Sequence, residues 1–204
     1  MISVIIPHYN RKKYLLITLE SISKTSYKDV EVIIVDDASN EENRLEDIVN
    51  NYWFPIRLYR IEEHQRWWKR DPAVLTNLMV DSSKGEIIIS QQPEICHVGD
   101  ILTDANQYCN PQVAIAYSAY GLNEYDTNRF IQGLPIEYQF SERDGDSSWM
   151  VHPEYRPHGF PFCFAMHPTI YFLMKWFEKF SVGVYRNKRA SLRSKICPCY
   201  KNNT

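Results

Sequence analysis

Three short apolar runs each end in groups that bind polar ligands. Ile2-Ser3-Val4-Ile5-Ile6 runs into Pro7-His8-Tyr9-Asn10, Val30–Val35 into Asp36-Asp37, and Glu86–Ser90 into Gln91-Gln92-Pro93-Glu94. Ionised carboxylates make charge-assisted hydrogen bonds and hold hard cations; amides add neutral oxygens beside them. One polar strand end is ordinary turn chemistry. Three such clusters on one sheet would face a common crevice. Cys96 and His97 follow Glu94. Cys96 suits a small buried position, and His97 suits a helix entry or the core better than a ligand site.

The positioning elements follow from periodicity. Ile2–Ile6 and Val30–Val35 read as strands buried on both faces, the first stopped by Pro7. Asn10 predicts an N-cap for a helix carrying Tyr14, Leu15, Ile17, Thr18, Leu19 and Ile22. Ser39 or Asn40 caps a second helix, with Glu41 and Glu42 in its first turn and Leu45, Ile48 and Val49 on one face. Pro55–Arg60 reads as a third strand. Pro72 opens a helix with Val74, Leu75, Leu78 and Met79, and Glu86–Ser90 is the fourth strand. This β-α-β-α-β-α-β order predicts a parallel sheet with right-handed crossovers and helices on both faces. Ligands then bind outside the carboxyl ends of the strands.

Beyond residue 98, 99–109 is helix-like and Val113–Tyr117 strand-like. Residues 120–160 lose periodicity and read as a long functional or mobile loop region. His167–Phe180 returns to helical spacing. The segment from Arg186, with six Lys/Arg, Cys197 and Cys199, reads as a frayed tail. One domain is expected over 1–204: a binding half 1–118, an acceptor-side region 119–185 and a tail 186–204.

Composition narrows the classes. The chain has 204 residues, a net charge of −2 and 44% apolar residues, so it has no overall field for nucleic acid. No apolar run approaches the ~20 residues of a membrane span, and no signal-peptide pattern opens the chain, so a cytoplasmic protein is expected. Five scattered cysteines suit reduced thiols. Aromatic residues make up 14%, enough to supply both core and a platform for a flat or sugar-like ligand.

Three segments together resemble the inverting GT-A glycosyltransferases of family 2: "SVIIPHYNRKKYLLITLESI", "VEVIIVDDASNEE" and "SSKGEIIISQQPE". "HGFPFCFAMHPTIYFLMKWFEKF" is similar, more distantly, to the family's acceptor-side segment. The resemblance covers roughly residues 1–105. It implies a GT-A-like (Rossmann-like) fold and a nucleotide-sugar donor, usually UDP-linked, with a divalent cation (Mn²⁺ or Mg²⁺) on its diphosphate. Pro7, Tyr9, Asn10, Asp36 and Asp37 fall where the family holds uracil and ribose. A base with an imide N–H needs an acceptor, which favours Asp37, with Asp36 as the other possibility. The same residues could instead only cap the following helix. Gln92, Pro93 and Glu94 fall on the family's Asp-x-Asp, so Glu94 is the expected metal ligand and Gln92 a neutral oxygen beside it. Arg66, ahead of Trp67, Trp68, Lys69 and Arg70, could neutralise the diphosphate.

The acceptor side departs from the pattern. An inverting transfer needs a general base within hydrogen-bond reach. The family takes it from an acidic cluster, but here the last acidic residue is Glu178. Glu178, Asp144 and Asp146 are the candidates, with Glu154 a further loop carboxylate. Trp149, Tyr155, His158 and Phe160 are candidates for stacking on an acceptor, which is an unidentified glycan, protein or lipid. The expected function is metal-assisted transfer from a UDP-sugar by a hexosyltransferase-type enzyme. The alternative is a catalytically impaired module that binds UDP or a nucleotide sugar without a base. A nucleotidyltransferase is disfavoured, because no Gly-rich phosphate loop follows the first strand.

Overall fold

The computed structural model describes residues 1–65, 72–157 and 162–174. In chain order it contains β1 (Ile2–His8), α1 (Lys12–Ser23), β2 (Val30–Asp37), β3 (Ile56–Ile61), α2 (Pro72–Ser82), β4 (Ile87–Gln91), α3 (Ile101–Tyr108) and β5 (Ile115–Ala116). Then follow β6 (Ala119–Gly121), α4 (Glu124–Ile131), β7 (Ser148–Val151), β8 (Cys163–Met166) and α5 (Pro168–Met174). The six-stranded sheet has the order β3-β2-β1-β4-β8-β5. β1, β2, β3 and β4 pair in parallel, and β8 joins antiparallel to both β4 and β5.

Successive strand residues point to opposite faces, and each face has its own core. Ile2, Val4, Ile6, Val32, Ile34, Ile87 and Ile89 pack with Leu15, Leu19 and Ile22 of α1 and with Leu102 of α3. Ile5, Ile33, Val35, Ile88 and Met166 pack with Leu75 and Met79 of α2 and with Ile170 of α5. Both faces of the strands are therefore covered, as their unbroken apolar runs require.

β1 passes through Pro7 rather than stopping before it. The Ile2 N–H donates to Asp29 O on the β2 side, so odd-numbered residues of β1 direct their N–H toward β4. Pairing with β4 ends at Ile5↔Ser90, so Pro7, which has no N–H to donate, sits where that ladder stops.

The predicted 41–49 helix is replaced by a single 3-10 turn, Glu41–Asn43, with Asn40 as its cap. Asn43 explains the difference. Its Oδ1 accepts from the Lys12 N–H (3.1 Å) and its carbonyl accepts from His8 Nε2 (3.0 Å). The chain leaves a helical path to cap α1 and brace β1, while Leu45 and Ile48 are still buried. Asn10 accordingly does not cap α1; the N-cap position is Arg11, which makes no side-chain cap.

The aperiodic 120–160 stretch is not a structureless loop. It holds α4 and the antiparallel β6–β7 ribbon, and Asn123 caps α4 by accepting from the Asp126 N–H (2.8 Å). The strand-like 113–117 shrinks to two residues, and β8 went unread because four residues are too short for a periodicity. No helix among the described residues is long and apolar enough to cross a membrane. Cys96, Cys109 and Cys163 are free thiols, and Cys197 and Cys199 lie outside the described residues.

Candidate functional site

The strand order places β2 and β3 on one side of β1 and β4 on the other. Chain direction across the sheet reverses there, and ligand crevices open at such switch points beyond the carboxyl ends. A cleft of about 220 Å³ opens at that place. Pro7, His8, Tyr9 and Arg11 line it from the β1 end, and Asp37 from the β2 end. Gln92, Pro93 and Glu94 line it from the β4 end, and Leu75 of α2 closes one wall. Five of the residues singled out from sequence, Pro7, Tyr9, Asp37, Gln92 and Glu94, thus share one cleft.

The two adjacent aspartates diverge by strand parity. Asp36 is 1% exposed, and its Oδ2 pairs with Arg60 Nη1 at 2.6 Å while its Oδ1 accepts from the Ser39 N–H at 3.0 Å. Arg60 also donates to Ser39 O (2.9 Å) and pairs with Glu62 (2.7 Å). Asn10, at φ 51°, donates its N–H to Ser39 Oγ (2.9 Å) and accepts from the Asn40 N–H (2.9 Å). Asp36 and Asn10 therefore lace the β1 and β2 loops together behind the cleft and are absent from its lining. Asp37 falls on the opposite parity, is 3% exposed and lines the cleft.

The turn after β4 is tightly held. The Ile95 N–H donates to Gln92 O (3.2 Å), Thr18 Oγ1 donates to Pro93 O (2.8 Å), and Gln91 Nε2 donates to Ile95 O (3.3 Å). His97 Nε2 bonds Gln91 Oε1 at 2.7 Å, and the His97 N–H donates to Ser21 Oγ at 2.9 Å. His97 is thus part of the turn's support, and the cleft lining does not include it. Among the described residues no group of three or more His, Cys, Asp or Glu is placed to hold a metal.

Burial pushes the His97 imidazole down to about 4, against the pull of Asp100. His8 is also lowered by burial, opposed by its bond to Asn43 and by Asp36. Both folded-state values lie below the ordinary 6.5, so the unfolded chain binds more protons between them. Stability is complete above about pH 6.5 and is expected to fall as the pH drops toward 4. Urea unfolding at stepped pH checks this, and His97→Leu should flatten the acid limb.

The remaining candidates lie elsewhere. Trp149 belongs to an aromatic cluster on the β6–β7 ribbon, stacked with Tyr138 (5.7 Å) and beside Tyr120 (5.1 Å) and His152 (4.5 Å). Tyr155 stacks on His152 (4.7 Å) and Phe140 (5.2 Å). These rings stack on one another along the ribbon, with Tyr138, Phe140 and Tyr155 still exposed. Asp144 and Asp146 sit on an exposed turn, where Asp146 accepts from Ser141 Oγ (2.7 Å), and neither lines the cleft. Arg66, His158, Phe160 and Glu178 lie outside the described residues. Arg11 and Leu75 line the cleft without having been singled out. Arg11 directly follows the Pro7–Asn10 cluster and was legible by adjacency, whereas only the placement of α2 reveals Leu75.

A mostly parallel sheet covered by helices on both faces, with its cleft at the β1/β4 switch, is the GT-A fold. The family model of glycosyl transferase family 2 matches residues 3–88. An uncharacterized glycosyltransferase of Haemophilus influenzae is 31% identical over 119 residues, 57% of this chain and 38% of that protein. S. aureus TarS 1-349 in complex with UDP-GlcNAc superposes with a TM-score of 0.55 at 18% identity, over 86% of this chain and 48% of that one. The mannosyltransferase PcManGT from Pyrobaculum calidifontis, in complex with GDP-Man and Mn²⁺, gives 0.52 at 18% identity, over 84% and 46%. At such identities the two structures speak for the fold alone. The chain spans less than half the length of each of these three proteins.

Proposed function

We propose that the cleft binds the nucleotide of a UDP-sugar and that the chain acts in glycosyl transfer from it. The observation that carries this is the meeting of Pro7, Tyr9, Asp37, Gln92 and Glu94 from three strand ends at one switch-point cleft. Asp37 accepts from the imide N–H of uracil, a charge-assisted bond from a buried carboxylate. The exposed ring of Tyr9 offers a face to the base. Arg11 brings a cation to the same cleft.

The donor set fits a divalent cation that arrives with the nucleotide. Glu94 is exposed at the cleft and Gln92 adds a neutral oxygen. A hard cation such as Mg²⁺ or Mn²⁺ is commonly held by one or two carboxylates, with substrate phosphates and water completing its shell. When bound, the cation neutralises charge on the departing diphosphate. Gln92 stands where the family resemblance puts a first carboxylate, so affinity for the metal alone is low in this reading. The same substitution favours a second reading, a donor-binding module with little or no turnover. Division into a donor half, 1–118, and an acceptor-side region, 119–185, belongs to this proposal.

Calorimetry with UDP, with and without Mn²⁺, tests the donor reading. Saturable UDP binding, tightened by Mn²⁺, is expected; failure to bind in either condition overturns it. Release of UDP from UDP-sugars then separates the enzyme from the binding module.

A further inference from the structure

We infer that Thr18 and the Gln91–His97 pair are positioning residues for Glu94, an inference that rests on the donor reading above. Glu94 is the exposed member of a turn whose neighbouring peptide groups are pinned. A peptide is planar, so a bond to its carbonyl fixes the orientation of the whole unit. Thr18 Oγ1, on a residue 0% exposed, holds the Pro93 carbonyl and with it the peptide leading into Glu94. Gln91 Nε2 holds the Ile95 carbonyl one residue beyond, and the Ile95 N–H closes the turn on Gln92 O.

The anchors themselves are fixed. Gln91 is 2% exposed, and its Oε1 is engaged by His97 Nε2, which orients the amide. Thr18 and Ser21 lie one helical turn apart on α1, on the side that faces the β4 turn. Ser21 Oγ takes the His97 N–H, while Thr18 reaches across 75 residues of sequence to Pro93. Threonine inside a helix commonly bonds a carbonyl of its own preceding turn. Here the hydroxyl serves the loop instead. These bonds fix the peptide groups on either side of Glu94 and with them the point from which its carboxylate reaches into the cleft.

Thr18→Val keeps shape and removes the hydroxyl, and Thr18→Ser keeps the hydroxyl. The experiment titrates each protein with UDP by calorimetry, once with Mn²⁺ and once with EDTA, alongside its melting temperature. Thr18→Val is expected to lose about 10-fold of the tightening that Mn²⁺ confers, the size typical of outer-shell changes at metal sites. UDP affinity in EDTA stays within about twofold of the unsubstituted protein, and Thr18→Ser restores the Mn²⁺ effect. Unchanged tightening in Thr18→Val overturns the inference, as does an equal loss in both conditions, which marks a purely structural role. If the unsubstituted protein binds UDP but Mn²⁺ changes nothing, the metal part of the donor reading fails and takes the inference with it. If Thr18→Val does not fold, His97→Leu is read in the same two conditions with the same outcomes.

Discussion

Asp37→Asn is expected to lower UDP affinity roughly 2- to 30-fold while the protein stays folded. A hydrogen bond to a charged group contributes about 1.5–3 kcal/mol against about 1 for a neutral one, and 1.4 kcal/mol is tenfold. The substitution preserves volume, so no cavity opens beneath Leu75 or Pro7. The matched control is Asp36→Asn, one residue away and equally buried. That change weakens the Arg60 ion pair at 2.6 Å and unsettles the Ser39 loop. It is expected to lower stability more than Asp37→Asn does and to affect affinity less. Calorimetry with UDP and urea unfolding on both variants give the two readouts. The opposite pattern would exchange the roles of the two aspartates.

Glu31→Ala is expected to destabilise the fold by about 1–3 kcal/mol, the usual cost of leaving buried polar groups without their partner. Glu31 is 5% exposed on β2 and carries three contacts. Arg57 pairs with its Oε2 at 2.9 Å, Ser3 Oγ donates to Oε1 at 2.6 Å, and the Lys84 N–H donates to Oε1 at 2.8 Å. The Gly85 N–H in turn donates to Ser3 Oγ (2.8 Å), in a site so tight that a Cβ on Gly85 would stand 2.5 Å from Ser3 N. Truncating Glu31 removes this acceptor from the half-buried Arg57 guanidinium, which keeps its bond to Ser82 O, and from the Ser3 hydroxyl and the Lys84 N–H. This network ties β1, β2, β3 and the entrance to β4 together at the amino ends of the strands. The cleft lies at the carboxyl ends, roughly 20 Å away along β1 at about 3.3 Å per residue. UDP affinity per folded molecule should therefore be unchanged, and an equal loss of affinity would mean that the two ends of the sheet are coupled.

Both residues show what the sequence could and could not carry. The parallel sheet was legible because β1, β2 and β4 are unbroken β-branched runs, and the switch-point rule then located the crevice. Of the two aspartates, parity alone decides which faces the cleft, and parity depends on β2 continuing through Asp37, past the last apolar residue. Asn10 looked like a helix cap by type, but the cap donor is met by Asn43, 31 residues away. A side chain recruited across two loops leaves no local periodicity. The same holds for Leu45 and Ile48, whose helical spacing produced burial without a helix. β8 joins the sheet next to β4 only through the antiparallel partnership of residues 72 to 78 positions apart, such as Gln91↔Cys163 and Ile88↔Met166. The 14% aromatic content was read as both core and platform, and in 120–157 the rings stack in a partly exposed cluster that composition could not place.

The central claim is that one cleft holds a nucleoside diphosphate between Asp37 and Glu94. A crystal structure of the protein with UDP and Mn²⁺ tests it most directly. The account predicts uracil against Tyr9 with its imide N–H on Asp37, and the cation bridging the diphosphate to Glu94. Density for UDP at any other place on the chain, or in this cleft with the base turned away from Asp37 and the diphosphate away from Glu94, would contradict it.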